Sequence, residues 1–504
     1  MLIMTIRPRT AALLLVGLLA LAACTPAAAV APTPSPAPTA TLPPSPTPFP
    51  VFAPGSRLAG VDVGGLTLDA AREQLAAQLT APAPITLRAG DLRVSLDLAT
   101  LGLTPSVDDL LAAAEPSLGS DQPVEVERSG DLDTDALRLQ LDDLAEEVAV
   151  PAAIHVISET KTISRSFGYT PGMILNVDAA LAAVTRQLAK EKLPTTITLD
   201  LTPDPTPPQV DTERLLAEVE ALAEEWNGVI GFHLYDLATG AEVRFNDKTV
   251  FAGASTIKVA IMLNAYIHLK QFTEKQEFWL GEMIKYSDNI SANHLLSAAA
   301  GGTGTEIAFT GAEQMSAMLA DDLGLENLYL YIPYEAIDFI RQNNIKYKRG
   351  PKDPVGEPPY TETGATLRAT PYSIAQVYKA IDACANGEGV LLEKFDLLTP
   401  ERCQEMLDRL ATNADKTRMV AGVPRGTRVE HKSGWIEDMQ ADAGIVRTPA
   451  GDYVLAVYVY KKLTGDAYMW PDEMMAPVVA AFSRLAYSAY NPILLDPDTL
   501  APEE

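Results

Sequence analysis

Proline-rich segments divide this chain and limit what it can fold into. Of its 38 prolines, 11 fall between Pro26 and Pro54, and a second proline-rich break runs from Thr202 to Pro208. Such segments favour extended, polyproline-like chain and cannot bury a hydrophobic core. At 504 residues the chain also exceeds the usual size of one compact domain. We therefore expect two or three folded units joined at these breaks.

Residues 1–24 have the order of a secretory signal, because two arginines precede an apolar run from Ala11 to Ala22. That run is too short for a comfortable membrane span. It ends in Leu21-Ala22-Ala23-Cys24, which resembles a bacterial lipobox; the alternative is an ordinary signal peptide with an incidental cysteine. The resemblance implies lipidation at Cys24, so that residues 25–54 tether an exported protein to the outer face of the cell membrane.

Charge and cysteine usage exclude some partners. The net charge of −27 argues against nucleic acid, because phosphate binding needs a basic surface. With five histidines and no Cys/His cluster, we expect no metal site and no cofactor. Cys384 and Cys403 follow Cys24, and they either pair as a disulfide in an oxidising compartment or remain buried thiols.

A recurrent helix start characterises residues 55–205. The stretch from Gly60 to Thr67 (Gly-Val-Asp-Val-Gly-Gly-Leu-Thr) precedes an Ala-rich helix with Thr67 as its N-cap, and Leu175 to Ala180 repeats the pattern of Leu66 to Ala71. Any capped amphipathic helix can look like this. The longer sequence resembles repeats assigned to peptidoglycan binding in YoaR-like and VanW-associated cell-envelope proteins. The resemblance implies small N-terminal α+β repeat domains directed to the cell wall.

Residues 206–495 have a different pattern, and residues 496–504 read as a tail. Alternating residues predict early strands, a helical middle part follows, and further strands and a last helix come at the end. The predicted elements are strands Val229–Tyr235 and Ala241–Phe245, helices from about Ser255 to Ala380, strands Arg428–Lys432, Ala441–Arg447 and Tyr453–Tyr460, and helix Glu473–Tyr487. This order predicts an α+β fold in which helices flank one antiparallel sheet and form an inserted helical lobe.

Ser255 and Lys258 are the first catalytic candidates. Ser255-Thr256-Ile257-Lys258 begins a helix that is apolar nearly all round and therefore buried. Residues at i and i+3 share a helix face, so the amine can reach the hydroxyl and activate it without a His-Asp relay. Ser158-Glu159-Thr160-Lys161 has the same spacing, but it lies in a polar, strand-like stretch without companion motifs.

Two companion motifs follow Ser255. Ser287-Asp288-Asn289 falls between two helical segments, on a loop that can project into a cleft. Lys432-Ser433-Gly434 lies on a predicted strand, where the glycine lets a substrate approach the backbone edge. In this order and setting, the three motifs resemble those of the class A β-lactamase and penicillin-binding protein superfamily, over about residues 225–490.

The resemblance implies an acyl-enzyme mechanism on a class A β-lactamase-like fold. Ser255 would be the nucleophile, Lys258 its base or proton shuttle, Ser287 the proton donor to the leaving nitrogen, and Lys432 a source of positive potential. The implied substrate-binding residues are Asn289, Arg418, Ser433, Gly434 and Trp435. The backbone N–H groups of Ser255 and Trp435 would meet the oxyanion. Like-charge repulsion and burial would lower the pKa values of both lysines.

One expected group is missing from the sequence pattern. Class A enzymes deacylate with an omega-loop glutamate that is followed four residues later by asparagine. Here Glu357 and Glu362 are followed at that distance by Thr361 and Thr366. Acylation is therefore better supported than deacylation.

The resulting prediction is an exported, lipid-anchored serine hydrolase that opens β-lactams. The alternatives are a protein like a penicillin-binding or D-Ala-D-Ala peptidase, and a cell-wall-binding protein without turnover. The expected partners are a β-lactam or a peptidoglycan peptide, the cell wall, and the membrane through the lipid anchor. We expect no nucleic-acid partner, and we expect the protein to be a monomer.

Overall fold

A computed structural model describes residues 49–79, 83–103, 106–127, 132–159, 163–190, 193–204, 206–350, 357–361, 366–463 and 471–496. The predicted signal with Cys24, the tether as far as residue 48 and the tail from residue 497 lie outside the described residues. The chain divides into two compact units, one of Met1–Leu79 with Pro105–Ser129 and one of Thr80–Thr104 with Gly130–Glu504. Within the described ranges, no helix is both long enough and apolar enough to cross a bilayer.

Short strands and helices follow one another between residues 57 and 203. In chain order they are β1 (Arg57–Leu58), β2 (Val61–Asp62), α1 (Leu68–Gln78), β3 (Ile85–Ala89), β4 (Leu92–Leu96), α2 (Val107–Ala114), β5 (Glu125–Val126), α3 (Thr134–Val148), β6 (Ala153–Ser158), β7 (Arg165–Thr170), β8 (Met173–Leu175), α4 (Val177–Leu188), β9 (Thr196–Leu199) and β10 (Leu201–Pro203).

The first unit packs α1 and α2 beside a small sheet. Strand β1 pairs antiparallel with β2 and parallel with β5. Thr67 caps α1 by accepting a hydrogen bond from the Ala70 N–H, which confirms the predicted helix start. Phe52 is fully buried in the apolar core of this unit. The packed chain therefore begins before residue 55, because the last residues of the predicted tether already belong to the core.

The second unit begins with another small α+β region. Strand β3 pairs antiparallel with β4 and parallel with β9, and its apolar side chains pack with those of α3 and α4. The Asn176 side chain accepts a hydrogen bond from the Ala179 N–H and caps α4, which confirms the second helix start. The interpretation of these starts as peptidoglycan-binding repeats stays a prediction.

The remaining elements form the larger part of the second unit. They are α5 (Thr212–Glu224), β11 (Val229–Asp236), β12 (Glu242–Phe245), α6 (Lys258–His268), α7 (Glu274–Lys285), α8 (Asn289–Ala299), α9 (Thr305–Asp321), β13 (Tyr329–Leu330), α10 (Ile337–Asn343), β14 (Leu367–Arg368), α11 (Pro371–Ala385), α12 (Val390–Lys394), α13 (Pro400–Leu410), β15 (Arg428–Ile436), β16 (Met439–Arg447), β17 (Tyr453–Tyr460), α14 (Pro471–Tyr490) and β18 (Ile493–Leu494).

An antiparallel sheet in the order β12-β11-β17-β16-β15 organises this part of the described chain. Its alternating side chains enter two different cores. On β17, Val454, Ala456 and Tyr458 share one core with helices α6 to α9 and α11 to α13, whereas Leu455 and Val457 share another with α5 and α14. The predicted α+β architecture, with helices on both faces and a helical insertion between strands, is therefore confirmed.

The hairpin β6–β7 packs directly on the sheet-and-helix body. Phe167 of β7 is fully buried in the same core as α14, and its N–H donates to the Ser488 hydroxyl over 2.9 Å. Strand β18 pairs with β7. The Arg165 guanidinium lies 2.7 Å from a carboxylate oxygen of Glu218 on α5. Packing therefore continues across the proline-rich segment near residue 205, which was expected to separate two domains.

Cys384 and Cys403 form a disulfide between α11 and α13, so the structure selects one of the two states that the sequence left open. Both residues are fully buried. The bridge therefore joins two helices of the helical lobe.

We expect replacement of both cysteines by alanine to lower the free energy of unfolding by roughly 3 kcal/mol, because a cross-link over a loop of this length restricts the unfolded chain. The sequence separation is 19 residues. Urea unfolding followed by tryptophan fluorescence measures the change. Reduction of the unsubstituted protein before unfolding should give a similar loss, and equal stability of all samples would contradict the prediction.

Candidate active site

Ser255 lies in a tight turn directly before α6. The sequence predicts a helix from Ser255, whereas the helix begins at Lys258. Ala254 has a left-handed backbone with φ of 42°, which is uncommon for a residue with a side chain. The Thr256 hydroxyl lies 2.6 Å from the Gly253 carbonyl oxygen, to which it donates, and 2.7 Å from the Tyr458 hydroxyl. The turn is thus tied to the central strand β17.

The Lys258 amine connects two of the three motifs. Lys258 is fully buried, and its Nζ lies 2.7 Å from Oδ1 of Asn289 and 3.2 Å from Oγ of Ser287. It also donates to the Ser287 carbonyl. In the part of the chain that the structure describes, no hydrogen bond reaches the Ser255 hydroxyl. The hydrogen bonds of the Lys258 amine therefore go to Ser287 and Asn289.

Burial, and after it the positive charge of Lys432, lower the pKa of Lys258 to about 7, against the opposing effects of Asp288 and Glu335. Burial also lowers the pKa of Lys432, to about 8. A substantial fraction of Lys258 is therefore neutral near pH 7. A neutral amine can accept a proton, as a general base must.

The segment Ser287-Asp288-Asn289 forms the junction between α7 and α8. Ser287 has φ of 62°, and the Asp288 side chain caps α8 by accepting a hydrogen bond from the Ser291 N–H. The Asn289 amide oxygen binds Lys258, while its Nδ2 donates to the Glu335 carboxylate over 2.9 Å. The cap fixes the orientation from which these side chains meet Lys258.

The segment Lys432-Ser433-Gly434 lies on β15, at one edge of the sheet. A Cβ atom on Gly434 would lie 2.8 Å from the Ser255 backbone nitrogen, so only glycine lets the strand approach Ser255 this closely. The two segments that carry the predicted oxyanion donors, Ser255 and Trp435, therefore touch at Gly434. The Trp435 side chain is 56% exposed, whereas Lys432 and Ser433 are buried.

Arg418 lies among acceptors of its own chain. Its guanidinium is buried and donates to Asp415, to Gln440 and to Asp472, the last over 2.8 Å. Burial alone would raise the pKa of Asp415, but the Arg418 charge lowers it below its usual range. These bonds engage the guanidinium before any substrate arrives, and the predicted binding of a substrate carboxylate by Arg418 stays a prediction.

Glu335 and Tyr334 are the site residues that the sequence reasoning missed. The Glu335 carboxylate is exposed and binds Asn289, and the Tyr334 ring centroid lies 4.6 Å from Nζ of Lys258. Neither residue fits a motif, since Phe339 stands four residues after Glu335. Of the two glutamates considered from the sequence, Glu357 lies 3.6 Å from Lys248 and Glu362 lies outside the described residues.

No group of three or more His, Cys, Asp or Glu side chains in the described ranges is arranged to hold a metal ion.

The sequence profile described as "Beta-lactamase enzyme family" matches residues 214–278 and 279–490. These ranges include Ser255, Lys258, Ser287, Asn289, Arg418 and the Lys432–Trp435 segment. No curated protein matches the chain.

Three solved structures illustrate the structural similarity. PBP-A in an acyl-enzyme complex with penicillin G shares 20% identity at a TM-score of 0.41, over 57% of this chain and 99% of that one. A class A β-lactamase variant of the last common ancestor of Gram-negative bacteria shares 20% identity at a TM-score of 0.40, over 55% of this chain and 98% of that one. A β-lactamase from Xanthomonas campestris pv. campestris shares 14% identity at a TM-score of 0.40, over 56% of this chain and 98% of that one.

Proposed function

This chain belongs to the β-lactamase enzyme family, whose profile covers more than half of its residues, and from that premise we propose that it is a serine hydrolase that hydrolyses the amide of β-lactams. The lactam acylates Ser255 as its amide bond breaks, and water then hydrolyses the resulting ester. The observation that carries the proposal is the contact of Lys258 with both Ser287 and Asn289, beside a strand whose Gly434 abuts Ser255. This arrangement assembles a nucleophile, a base, a proton donor and an amide-binding group at one place.

In the acylation step, the Ser255 oxygen attacks the lactam carbonyl carbon, and its proton passes to the neutral Lys258 amine. The backbone N–H groups of Ser255 and Trp435 stabilise the resulting oxyanion. When the C–N bond breaks, the Ser287 hydroxyl protonates the leaving nitrogen and regains a proton from the Lys258 ammonium. The 3.2 Å separation of Lys258 and Ser287 suits this transfer. The products of the step are an ester on Ser255 and an opened lactam ring.

In the deacylation step, we assign the base to Glu335. Its exposed carboxylate accepts a hydrogen bond from Asn289, the same amide that contacts Lys258, so it lies beside the proposed base and is open to water. The carboxylate takes a proton from water as the water oxygen attacks the ester carbonyl, and the departing Ser255 oxygen receives that proton back from Glu335. Glu335 would thus provide the deacylating carboxylate, although no glutamate followed four residues later by asparagine was found in the sequence stretch considered for the omega loop.

A fluorescent penicillin and a chromogenic cephalosporin together test this proposal. The protein should become covalently labelled, with the adduct on the peptide that contains Ser255, and it should turn over the cephalosporin in a steady state. A protein that carries no label after prolonged incubation at millimolar penicillin contradicts acylation. A single stoichiometric burst contradicts hydrolysis.

A penicillin-binding protein that keeps its acyl group is the second candidate function. The specific observation in its favour is the Tyr334 ring, which lies over the Lys258 amine and so fills space beside the proposed base with an apolar group. The natural substrate would then be a peptidoglycan peptide, and the burst without steady state would be its signature.

We also propose that the protein is exported and anchored by lipid at Cys24, with its N-terminal region directed to the cell wall. The lipobox-like sequence supports this proposal, as does the Cys384–Cys403 disulfide, because such bridges persist in oxidising compartments. Cys24→Ala should move the protein from the membrane fraction to the soluble fraction of cells that express it. Unchanged membrane association of this variant would contradict lipidation at Cys24.

A further inference from the structure

We propose that Tyr334 is a positioning residue for the nucleophile and its base. Its hydroxyl holds the turn that carries Ser255, and its ring holds the Lys258 amine. The inference rests on the proposed acylation of Ser255. It concerns a residue that lies outside the three motifs and carries no charge.

The turn before Ser255 needs a stabilising hydrogen bond from another part of the chain. Ala254 has φ of 42°, a left-handed conformation that L-residues adopt only where the surroundings hold it. The Tyr334 hydroxyl donates to the Ala254 carbonyl over 2.8 Å. The neighbouring Gly253 carbonyl is held separately by Thr256, whose hydroxyl contacts Tyr458. Loss of the Tyr334 hydroxyl therefore releases the carbonyl that directly precedes Ser255.

Tyr334 is itself fixed from α8. The Asn293 side chain donates to the Tyr334 carbonyl over 2.8 Å and accepts from its N–H over 2.9 Å. Burial raises the pKa of the Tyr334 hydroxyl well above its usual range, so it remains a donor over the working pH range. Because α8 begins at Asn289, one helix positions both the amide that binds Lys258 and the tyrosine that covers it.

The ring contact acts on the amine. The Lys258 Nζ lies 4.6 Å from the ring centroid, a distance at which the aromatic face attracts a cation. The charged groups that face Lys258 are Lys432 on β15, Asp288 at the start of α8 and Glu335 before α10. The ring is uncharged, but its face favours the ammonium form of Lys258. It therefore opposes the lowering of the Lys258 pKa by burial and by Lys432. It therefore helps to set the pH at which Lys258 becomes a base.

The two contributions can be separated by measuring the acylation rate constant for a fluorescent penicillin between pH 5 and pH 9. Acylation by the unsubstituted protein should rise through the Lys258 pKa of about 7, because only the neutral amine accepts the serine proton. Tyr334→Phe keeps the ring and removes the hydrogen bond to the Ala254 carbonyl, so the acylation rate constant should fall roughly tenfold or more while the midpoint pH stays unchanged. Tyr334→Leu should also lower the midpoint by roughly half a pH unit to one pH unit, because the cation loses its aromatic partner.

Tyr331→Phe is the matched control, because this tyrosine lies in the same segment but stacks on Tyr329. Its rate and midpoint should equal those of the unsubstituted protein. If Tyr334→Leu does not fold, Tyr334→Met offers a side chain of similar length without an aromatic face. An unchanged rate in Tyr334→Phe overturns the role of the hydroxyl, and an unchanged or raised midpoint in the Leu or Met variant overturns that of the ring. Failure of the unsubstituted protein to label would instead refute the proposed function.

Discussion

Ser255→Ala should abolish covalent labelling by a fluorescent penicillin, with the acylation rate falling roughly a thousandfold or more. Removal of the attacking oxygen leaves no group that can form the ester, whatever the remaining site still binds. Ser255 occupies the turn between the left-handed Ala254 and α6, where Gly434 of β15 abuts its backbone nitrogen. Gel fluorescence after denaturation measures the bound label.

The chain supplies a matched control for this experiment in its second Ser-x-x-Lys sequence. Ser158 ends strand β6 and is exposed, and it shares the spacing of Ser255 but not its surroundings. Ser158→Ala should label like the unsubstituted protein. Labelling that survives in Ser255→Ala, or that disappears in Ser158→Ala, would mean that the nucleophile has been assigned wrongly.

The second large effect is expected for Glu335→Gln, which should acylate at nearly the original rate but hydrolyse its acyl-enzyme roughly a hundredfold to ten-thousandfold more slowly. The amide keeps the size of the carboxylate but cannot take a proton from water. Asn289 lies 2.9 Å from the carboxylate, so its contact needs only a small adjustment. Stopped-flow measurement of a chromogenic cephalosporin should show a burst followed by a much slower steady state.

Glu357→Gln is the control for that experiment. Glu357 is one of the two glutamates considered from the sequence as an omega-loop base, but it lies beside Lys248 on the surface. Its substitution should leave both phases unchanged. If Glu335→Gln keeps the original steady-state rate, Glu335 is not the deacylating base. If Glu357→Gln loses turnover, the role passes to that residue.

Local patterns in the sequence were sufficient for much of the fold. Alternation of apolar residues predicted the strands of the main sheet, and polar side chains before apolar runs predicted the helix starts at Thr67 and Asn176. The alternation of residues predicted β15 only as far as Lys432, and the Lys432-Ser433-Gly434 motif was expected on the same strand, which continues to Ile436. Glycine and serine weaken strand signals, but here pairing with β16 extends the strand through them.

Contacts between distant parts of the chain were beyond such patterns. Tyr334 lies 80 residues from Ala254 in the sequence, and Glu335 lies 46 residues from Asn289. Neither pair has a periodicity or spacing that could reveal it. The pairing of Cys384 with Cys403, and the burial of Phe167 under α14, depend in the same way on packing that no local segment specifies.

The sequence by itself determined the chemical groups of the candidate site, because three short motifs carry them and the sequence placed these motifs at a helix start, in a loop and on a strand. The groups belong to Ser255, Lys258, Ser287, Asn289 and Lys432. The tertiary structure alone decided what surrounds those groups. It buries Lys258 beside a second cation and so lowers its pKa to about 7, it engages Arg418 with Asp415, and it brings Tyr334 and Glu335 to the site. The physical reason is that spacing governs contacts within an element, whereas burial and electrostatic environment arise only when separate elements pack together.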